Sequence, residues 1–423
     1  MRRTALAAVA AAAVRGSRSM ASTAPRVTVL GGGVGGCAAA ANLARTGAQV
    51  TLIEMGRGAG GRATTRGTRE DPRIQVDHGA PYADMRTEAG KKATQELVAA
   101  GYAAEFQGPF GTLRADGAFE ASEEAGVTWY RGHPSMSRWC EGLLQGTPSI
   151  TKKFGSMIRR IEPVREDVTG AVLGWKLFDK EGQLVSDCDW LVVSGSGVAH
   201  PRWSQTFGGQ APLTEAAAVL GDARLDAALA AIGRITARPV QVAMMAFEGP
   251  AAEAWLRLPF AVAEVEGDPI LAKIVVQKSD SGLVNVVAHS TEAFAVAAQD
   301  AFGSTSTAAR VGGAAADASR EQEVLGQLVT ALNVCVARLL GPEVELSKPM
   351  FGPLLHRWGN AFPVGASLSA EESLAPASRL AFAGDYVGPR SGSIEGAMLS
   401  GADVAQRLME HVASSASACS SCM

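Results

Sequence analysis

A chain of 423 residues with 47% hydrophobic and 19% charged residues can bury more than one core, so two domains are expected and intrinsic disorder is excluded. Lys+Arg at 39 against Asp+Glu at 42 leaves a net charge of -3 with no long basic run, which excludes a protein that gathers nucleic acid by its field alone. The longest apolar stretch, residues 5–14, is about half of the roughly 20 residues that a bilayer crossing requires, so no integral membrane segment is expected.

Residues 1–26 hold five arginines, many alanines and no acid, and the first acidic residue of the chain is Glu54. This composition predicts an organelle presequence, mitochondrial ahead of plastid, with a cytoplasmic product if synthesis starts at Met20. A secretory signal is the competing reading, and Arg15 and Arg18 weigh against it. From Val27 onward, short β-rich runs (27–30, 50–53, 190–193, 380–383) alternate with helical stretches, the pattern of a parallel sheet covered by helices. The middle of the chain has another texture. Residues 240–247, 271–277 and 283–289 follow one another closely with turn residues between them, as in an antiparallel sheet. A Ser/Ala/Gly-rich loop is expected at 303–319, then a helix over 320–340 with Val324, Leu328, Leu332 and Val336 on one face. Six scattered cysteines make no disulfide framework, and Cys419 and Cys422 lie in a Ser/Ala tail, 413–423, expected to be disordered. No cluster has metal-ligand spacing.

The strongest motif opens the folded part. After the run Val27–Leu30, Gly31, Gly33 and Gly36 fill GxGxxG. An Ala-rich helix (37–46), Gly47 and a second strand follow, and Glu54 stands 23 residues beyond Gly31. Each position has a steric purpose: Gly31 for the tight turn, Gly33 for close approach of a diphosphate, Gly36 for helix against sheet, and Glu54 as acceptor for ribose hydroxyls. A second glycine turn with flanking arginines, Arg57-Gly-Ala-Gly-Gly61-Arg62-Ala-Thr-Thr65, suits an extended diphosphate. Asp77-His-Gly-Ala-Pro-Tyr82 comes next. Near the other end, a strand leads into Gly384-Asp385, and a helix opens at Ser393-Ile-Glu-Gly396-Ala397.

These segments, with His289 and His356-Arg357-Trp358 between them, resemble the renalase branch of the FAD-dependent amine-oxidase superfamily over roughly residues 27–412. The resemblance implies an α/β fold: a Rossmann-type FAD-binding domain (27–90, 140–200, 350–412) and an interleaved α+β substrate domain (91–139, 201–349) with an antiparallel sheet. It also implies that Gly31, Gly33, Gly36, Glu54, Arg57, Gly61, Arg62, Gly384, Asp385, Gly396 and Ala397 hold FAD, with the backbone of Ile158 at the adenine. Residues 189–197 resemble the third dinucleotide-associated turn of such flavoproteins. Pro389-Arg-Ser-Gly-Ser-Ile394 lacks the cysteine that tethers flavin in monoamine oxidases, so non-covalent FAD is expected.

No catalytic acid or base is identified, because the hydride chemistry belongs to the cofactor. His289, His356, Arg357 and Trp358 are the substrate-side candidates, Arg357 by charge and Trp358 by stacking. The expected reaction is that of a renalase-like oxidase: hydride from a reduced nicotinamide-type compound or small amine, then electrons to dioxygen, giving hydrogen peroxide. An amine or polyamine oxidase, a desaturase-type plastid flavoprotein and a non-catalytic FAD-binding protein are the alternatives.

Overall fold

The computed structural model describes residues 24–122, 124–147, 149–303, 317–340 and 348–421, the last four without their side chains. Nearly all of the expected presequence, most of the 303–319 loop, the Cys419 side chain and Cys422 lie outside the described residues.

In chain order, the elements that build the site are β1 (Arg26–Leu30), α1 (Val34–Arg45), β2 (Gln49–Glu54), β3 (Phe110–Leu113), β4 (Ile150–Phe154), β5 (Trp190–Val193), β6 (Thr236–Phe247), β7 (Val262–Val265), β8 (Leu271–Lys278), β9 (Val284–Ser290), α2 (Ala318–Leu340), β10 (Phe351–Val364), β11 (Leu380–Phe382) and α3 (Ile394–Ser421).

The first sheet runs β4-β2-β1-β5-β11, all parallel, with Leu374–Ala375 antiparallel at its edge. Parallel strands linked by crossovers are covered on both faces and therefore read as near-continuous apolar runs. Val27, Val29, Val50, Leu52 and Val192 face the core shared with α1 and α3. Leu30, Ile53, Leu191, Val193 and Phe382 face the opposite core, filled by Trp175 and Leu177 of a small antiparallel sheet and by Leu225 and Ile232 of a helix. The fold is α/β with a Rossmann-type nucleotide-binding half, as expected.

The second sheet has seven strands in the order β10-β6-β9-β8-β7-β3 and then Phe119–Ala121, and every pairing in it is antiparallel except β7 with β3. Its outer face packs on α2, whose Val324, Leu328, Leu332 and Val336 are completely buried. By length and composition α2 is the one helix among the described residues that could cross a membrane, and here its apolar stripe is the core of this half.

Two expectations about boundaries are corrected. Residues 351–364 do not belong to the nucleotide-binding half: β10 pairs with β6 from Thr236↔Val364 to Ala246↔Phe351 and forms the edge of the antiparallel sheet. The tail expected to be disordered from residue 413 continues α3 as far as Ser421, since Ala and Ser extend a helix already begun on a buried face.

Candidate active site

The first glycine loop is shaped by what its backbone touches. Gly31 has φ 113° and donates its N–H to Ile53 O at 2.8 Å, a conformation open to glycine and strained for other residues. A Cβ on Gly36 would lie 1.8 Å from Gly31 O, and one on Gly35 would lie 2.7 Å from Gly384 Cα. Gly33 differs: nothing stands within 4 Å of an added Cβ. Its backbone precedes the first turn of α1 in extended conformation with φ −73°. The open space is therefore at the positive end of a 12-residue helix, where an anion is favoured.

The second glycine turn closes on the first. Gly60 N–H donates to Gly32 O at 2.8 Å, and a Cβ on Gly61 (φ 57°) would come 3.2 Å from Gly33 Cα. Glu54 accepts from Gly32 N–H at 2.7 Å and Gly56 N–H at 2.6 Å, one on each oxygen. Burial raises its pKa, and these two bonds oppose the rise. A carboxylate oxygen accepts more than one bond, so lone pairs remain for a ribose. Ile158 is buried, and the backbone leading to it is pinned beside Glu54 by Gly155 N–H to Gly56 O at 2.7 Å and Ser156 N–H to Glu54 O at 3.0 Å. Arg57 is exposed at the start of the turn.

Arg62 and Asp385 meet, but they hold each other. The guanidinium donates two parallel bonds of 2.6 Å to the carboxylate and a third to Ala361 O. Burial opposes the Arg62 charge, and Asp385 outweighs it. This bridge joins the second glycine turn, the C-terminal Gly-Asp and strand β10. At Gly384 the φ is 132°, and an added Cβ would lie 2.7 Å from Ser194 O, in the third glycine-containing turn. Gly396 admits no side chain, since its Cβ would lie 2.1 Å from Arg390 O, and Ala397 N–H donates to Ser393 O at 3.1 Å in the first turn of α3.

The substrate-side candidates divide by strand alternation, because successive residues of β10 point to opposite faces of the sheet. His356 and Trp358 share the inner face. Arg357 is opposite Gln241 on the outer face, its guanidinium 5.0 Å from the Phe302 ring, and so does not join them. This corrects the expectation that Arg357 and Trp358 contact the same ligand. On the inner face the registers align His356 with Val242, Val242 with His289, His289 with Lys273 and Lys273 with Glu264, a single row across five strands. The neighbouring row is Leu354, Met244, Val287, Val275 and Val262, wholly apolar.

His78 comes down on this row from the Asp-His-Gly-Ala-Pro-Tyr segment. Its ring meets His356 edge-on at 4.7 Å and stacks on Trp358 at 5.4 Å, and its carbonyl accepts from Trp358 Nε1–H at 3.3 Å. Burial lowers the pKa of His78 to about 4 and that of His356 to about 3. Burial, with Lys273 and then His78 adding, takes His289 to about 3. All three are neutral imidazoles at pH 7, and Nε2 of His289, buried, has no hydrogen-bond partner among the described residues. Asp77 is the opposite case: burial lifts it to about 7 against the hydrogen bonds from Thr65 and Met136.

Sequence reasoning missed the other flank. Lys273 Nζ donates to Tyr82 Oη at 3.0 Å and pairs with Glu264 at 2.8 Å. Tyr82 packs edge-on against Phe106, Phe110 and Trp129, the last two stacked at 4.1 Å. These aromatics come from three separate segments, so no local pattern announces them. Only Tyr82 sits in a motif already singled out.

Residues 29–95 match the family model of the NAD(P)-binding Rossmann-like domain. Among solved structures, the chain is similar in fold to a protein assigned as a protoporphyrinogen oxidase from Exiguobacterium sp. 255-15, with TM-score 0.60, 13% identity, and 92% of this chain and 99% of that one covered. Putrescine oxidase bound to putrescine gives TM-score 0.59 at 11% identity, covering 91% of this chain and 99% of that one. Cyclohexylamine oxidase from Brevibacterium oxydans IH-35A gives TM-score 0.57 at 13% identity, covering 92% and 99%. The chain has a nucleotide-binding Rossmann segment within the overall fold that these three oxidases share.

Proposed function

We propose that this protein is a flavoenzyme of the oxidase type, renalase-like in its chemistry, that binds FAD non-covalently. It takes a hydride from a reduced nicotinamide-type compound or a small amine and passes the electrons to dioxygen, forming hydrogen peroxide. The observation that carries the reading is the joint closure of three glycine segments around the open space at Gly33, with Arg62–Asp385 beside it. The oxidase folds named above support the same class.

When bound, FAD would supply the hydride acceptor and the route to dioxygen. The residues fit it: α1 presents backbone N–H groups to a diphosphate, Glu54 has lone pairs for the ribose, and Asp385, held in place by Arg62, can accept from polyol hydroxyls. The protein's share of the work is to hold and orient the substrate over the inner-face row, with His78 and Trp358 keeping water from one side and the aromatic group from the other. The neutral histidines carry no charge to compete for.

A simple alkylamine binds as a cation, and Lys273 places an ammonium on the same face, so a neutral or anionic planar substrate suits the site better. The test is anaerobic mixing of the FAD-loaded protein with isomeric dihydronicotinamide nucleotides and with benzylamine. The expected result is rapid bleaching of the flavin by the former, recovery with hydrogen peroxide on admitting air, and slow bleaching by the latter. Fast reduction by benzylamine and none by nicotinamides would move the protein to the amine oxidases.

A further inference from the structure

Two unmet hydrogen-bonding groups stand side by side on the inner face. Lys273 has three N–H donors; Tyr82 and Glu264 take two, and the third has no partner among the described residues. His289, directly across from it in the register, has a buried Nε2 with no partner among the described residues. The ring is neutral, and beside the Lys273 ammonium the favoured tautomer is the one that offers a lone pair rather than an N–H, so Nε2 is an acceptor. Facing side chains on paired strands have Cβ atoms about 5 Å apart. The site thus presents one cationic donor and one neutral acceptor at neighbouring positions, next to Tyr82 and the stacked pair of Phe110 and Trp129 on which it sits edge-on.

We infer that Lys273 and His289 form a specificity pair that reads a planar carboxamide-type group on the substrate: the carbonyl oxygen accepts from Lys273 Nζ, and the amide N–H donates to His289 Nε2. This deepens the proposed function and rests on it for the choice of a nicotinamide-type ring. A carboxylate satisfies Lys273 but offers no hydrogen to His289. It would leave the buried Nε2 unpaired and set a negative group against its lone pair. A methyl ketone fails at His289 in the same way. Glu264, more than half exposed, is free to swing into solvent without uncovering the pair.

Oxidised ligands that cannot reduce flavin separate recognition from turnover. Nicotinamide, nicotinic acid and 3-acetylpyridine are titrated into the FAD-loaded protein and followed by calorimetry and by the shift of the flavin visible spectrum. The amide is expected to bind at least about tenfold more tightly than either analogue. Lys273→Met should weaken the amide and the ketone alike by about tenfold, and Lys273→Arg should restore much of both. His289→Leu should abolish the difference between amide and ketone. FAD content and thermal unfolding of each variant establish that the fold is kept, and Lys273→Arg serves where Lys273→Met does not fold. Acid binding as well as amide, an amide preference unchanged in Lys273→Met, or no binding of nicotinamide at its solubility limit overturns the assignment. If these binding results hold but no dihydronicotinamide bleaches the flavin, the reaction falls and the recognition pair stands.

Discussion

Replacing Gly33 by valine tests the cradle without disturbing the fold. Nothing lies within 4 Å of the added Cβ, and the backbone there is extended with φ −73°, which any residue adopts. Removing a glycine at such a position restricts the unfolded chain and stabilises the native state by about 0.4–1 kcal/mol. The apo variant should therefore unfold no earlier than the parent. Its new methyl groups occupy the space at the helix N-terminus, so FAD binding should weaken by about 100-fold or more, the loss of about 3 kcal/mol of diphosphate contacts. Gly36→Ala makes the contrast. Its Cβ would sit 1.8 Å from Gly31 O, so α1 must move off the strand by more than an ångström, at about 1–3 kcal/mol or above. Apo thermal unfolding and FAD titration by fluorescence quenching measure both quantities on both variants. Undiminished FAD affinity in Gly33→Val would mean that no diphosphate lies at this loop, and an unperturbed Gly36→Ala would mean that helix and strand are not in this register.

Asp385→Asn should lower apo stability by about 1–3 kcal/mol, because Arg62 keeps its burial but loses a two-pronged charged partner; denaturant titration measures it, and a silent substitution would mean the bridge is absent in solution. Arg357→Ala should leave FAD content and the kinetics of flavin reduction within about twofold of the parent, because its side chain lies on the far face of β10 with Phe302; a large rise in KM would return Arg357 to the substrate. Folded-state pKa values of about 3 for His289 and His356 and about 4 for His78, below the ordinary value of 6.5, mean that the unfolded chain binds protons first as pH falls. Together the three remove about 5 kcal/mol of stability between pH 6.5 and 5, whereas Asp77, raised to about 7, returns about 2, for a net loss of about 3 kcal/mol. Denaturant midpoints at the two pH values give the sign, His289→Gln should remove about half of the loss, and rising stability on acidification would contradict neutral buried histidines. Finally, residues 1–26 fused to a fluorescent reporter should enter an organelle, and the same fusion started at Met20 should stay in the cytosol; diffuse signal from the longer fusion would refute the presequence.

Much of the nucleotide-binding half could be read from the chain because its requirements are local. Gly31, Gly36 and Gly384 answer to backbone conformation or to a neighbouring carbonyl, and such demands recur at fixed spacing in any sequence that meets them. The strands of the antiparallel sheet announced themselves by apolar runs, and α2 by the spacing of four fully buried side chains. Strand β10 did not. Its sequence Phe-Gly-Pro-Leu-Leu-His-Arg-Trp-Gly-Asn carries Gly and Pro and no clean alternation, and it is a strand because β6, more than 100 residues earlier, supplies its ladder. Once β10 is known to be extended, the separation of Arg357 from its neighbours follows at once. Lys273 was hidden for a related reason. A lysine between apolar residues reads as a solvent-facing strand position, and only the register with His289 and Glu264 turns it into part of a site.

The Arg62–Asp385 bridge spans 323 residues of sequence, and this sets a clock on biosynthesis. Translation proceeds at about 5–20 residues per second, so after Arg62 leaves the ribosome its partner follows roughly 16 to 65 seconds later. For that interval β1 has its neighbour β2 but lacks β11 beyond β5, and α1 lacks the helix whose Gly401 lies against the Gly35 carbonyl. The apolar side of α1 stays uncovered meanwhile, a surface that holding chaperones recognise. The nucleotide cradle is thus begun early and finished late, and a chain that stalls near residue 375 would emerge with its antiparallel sheet complete but without Asp385 and α3 to close the cradle.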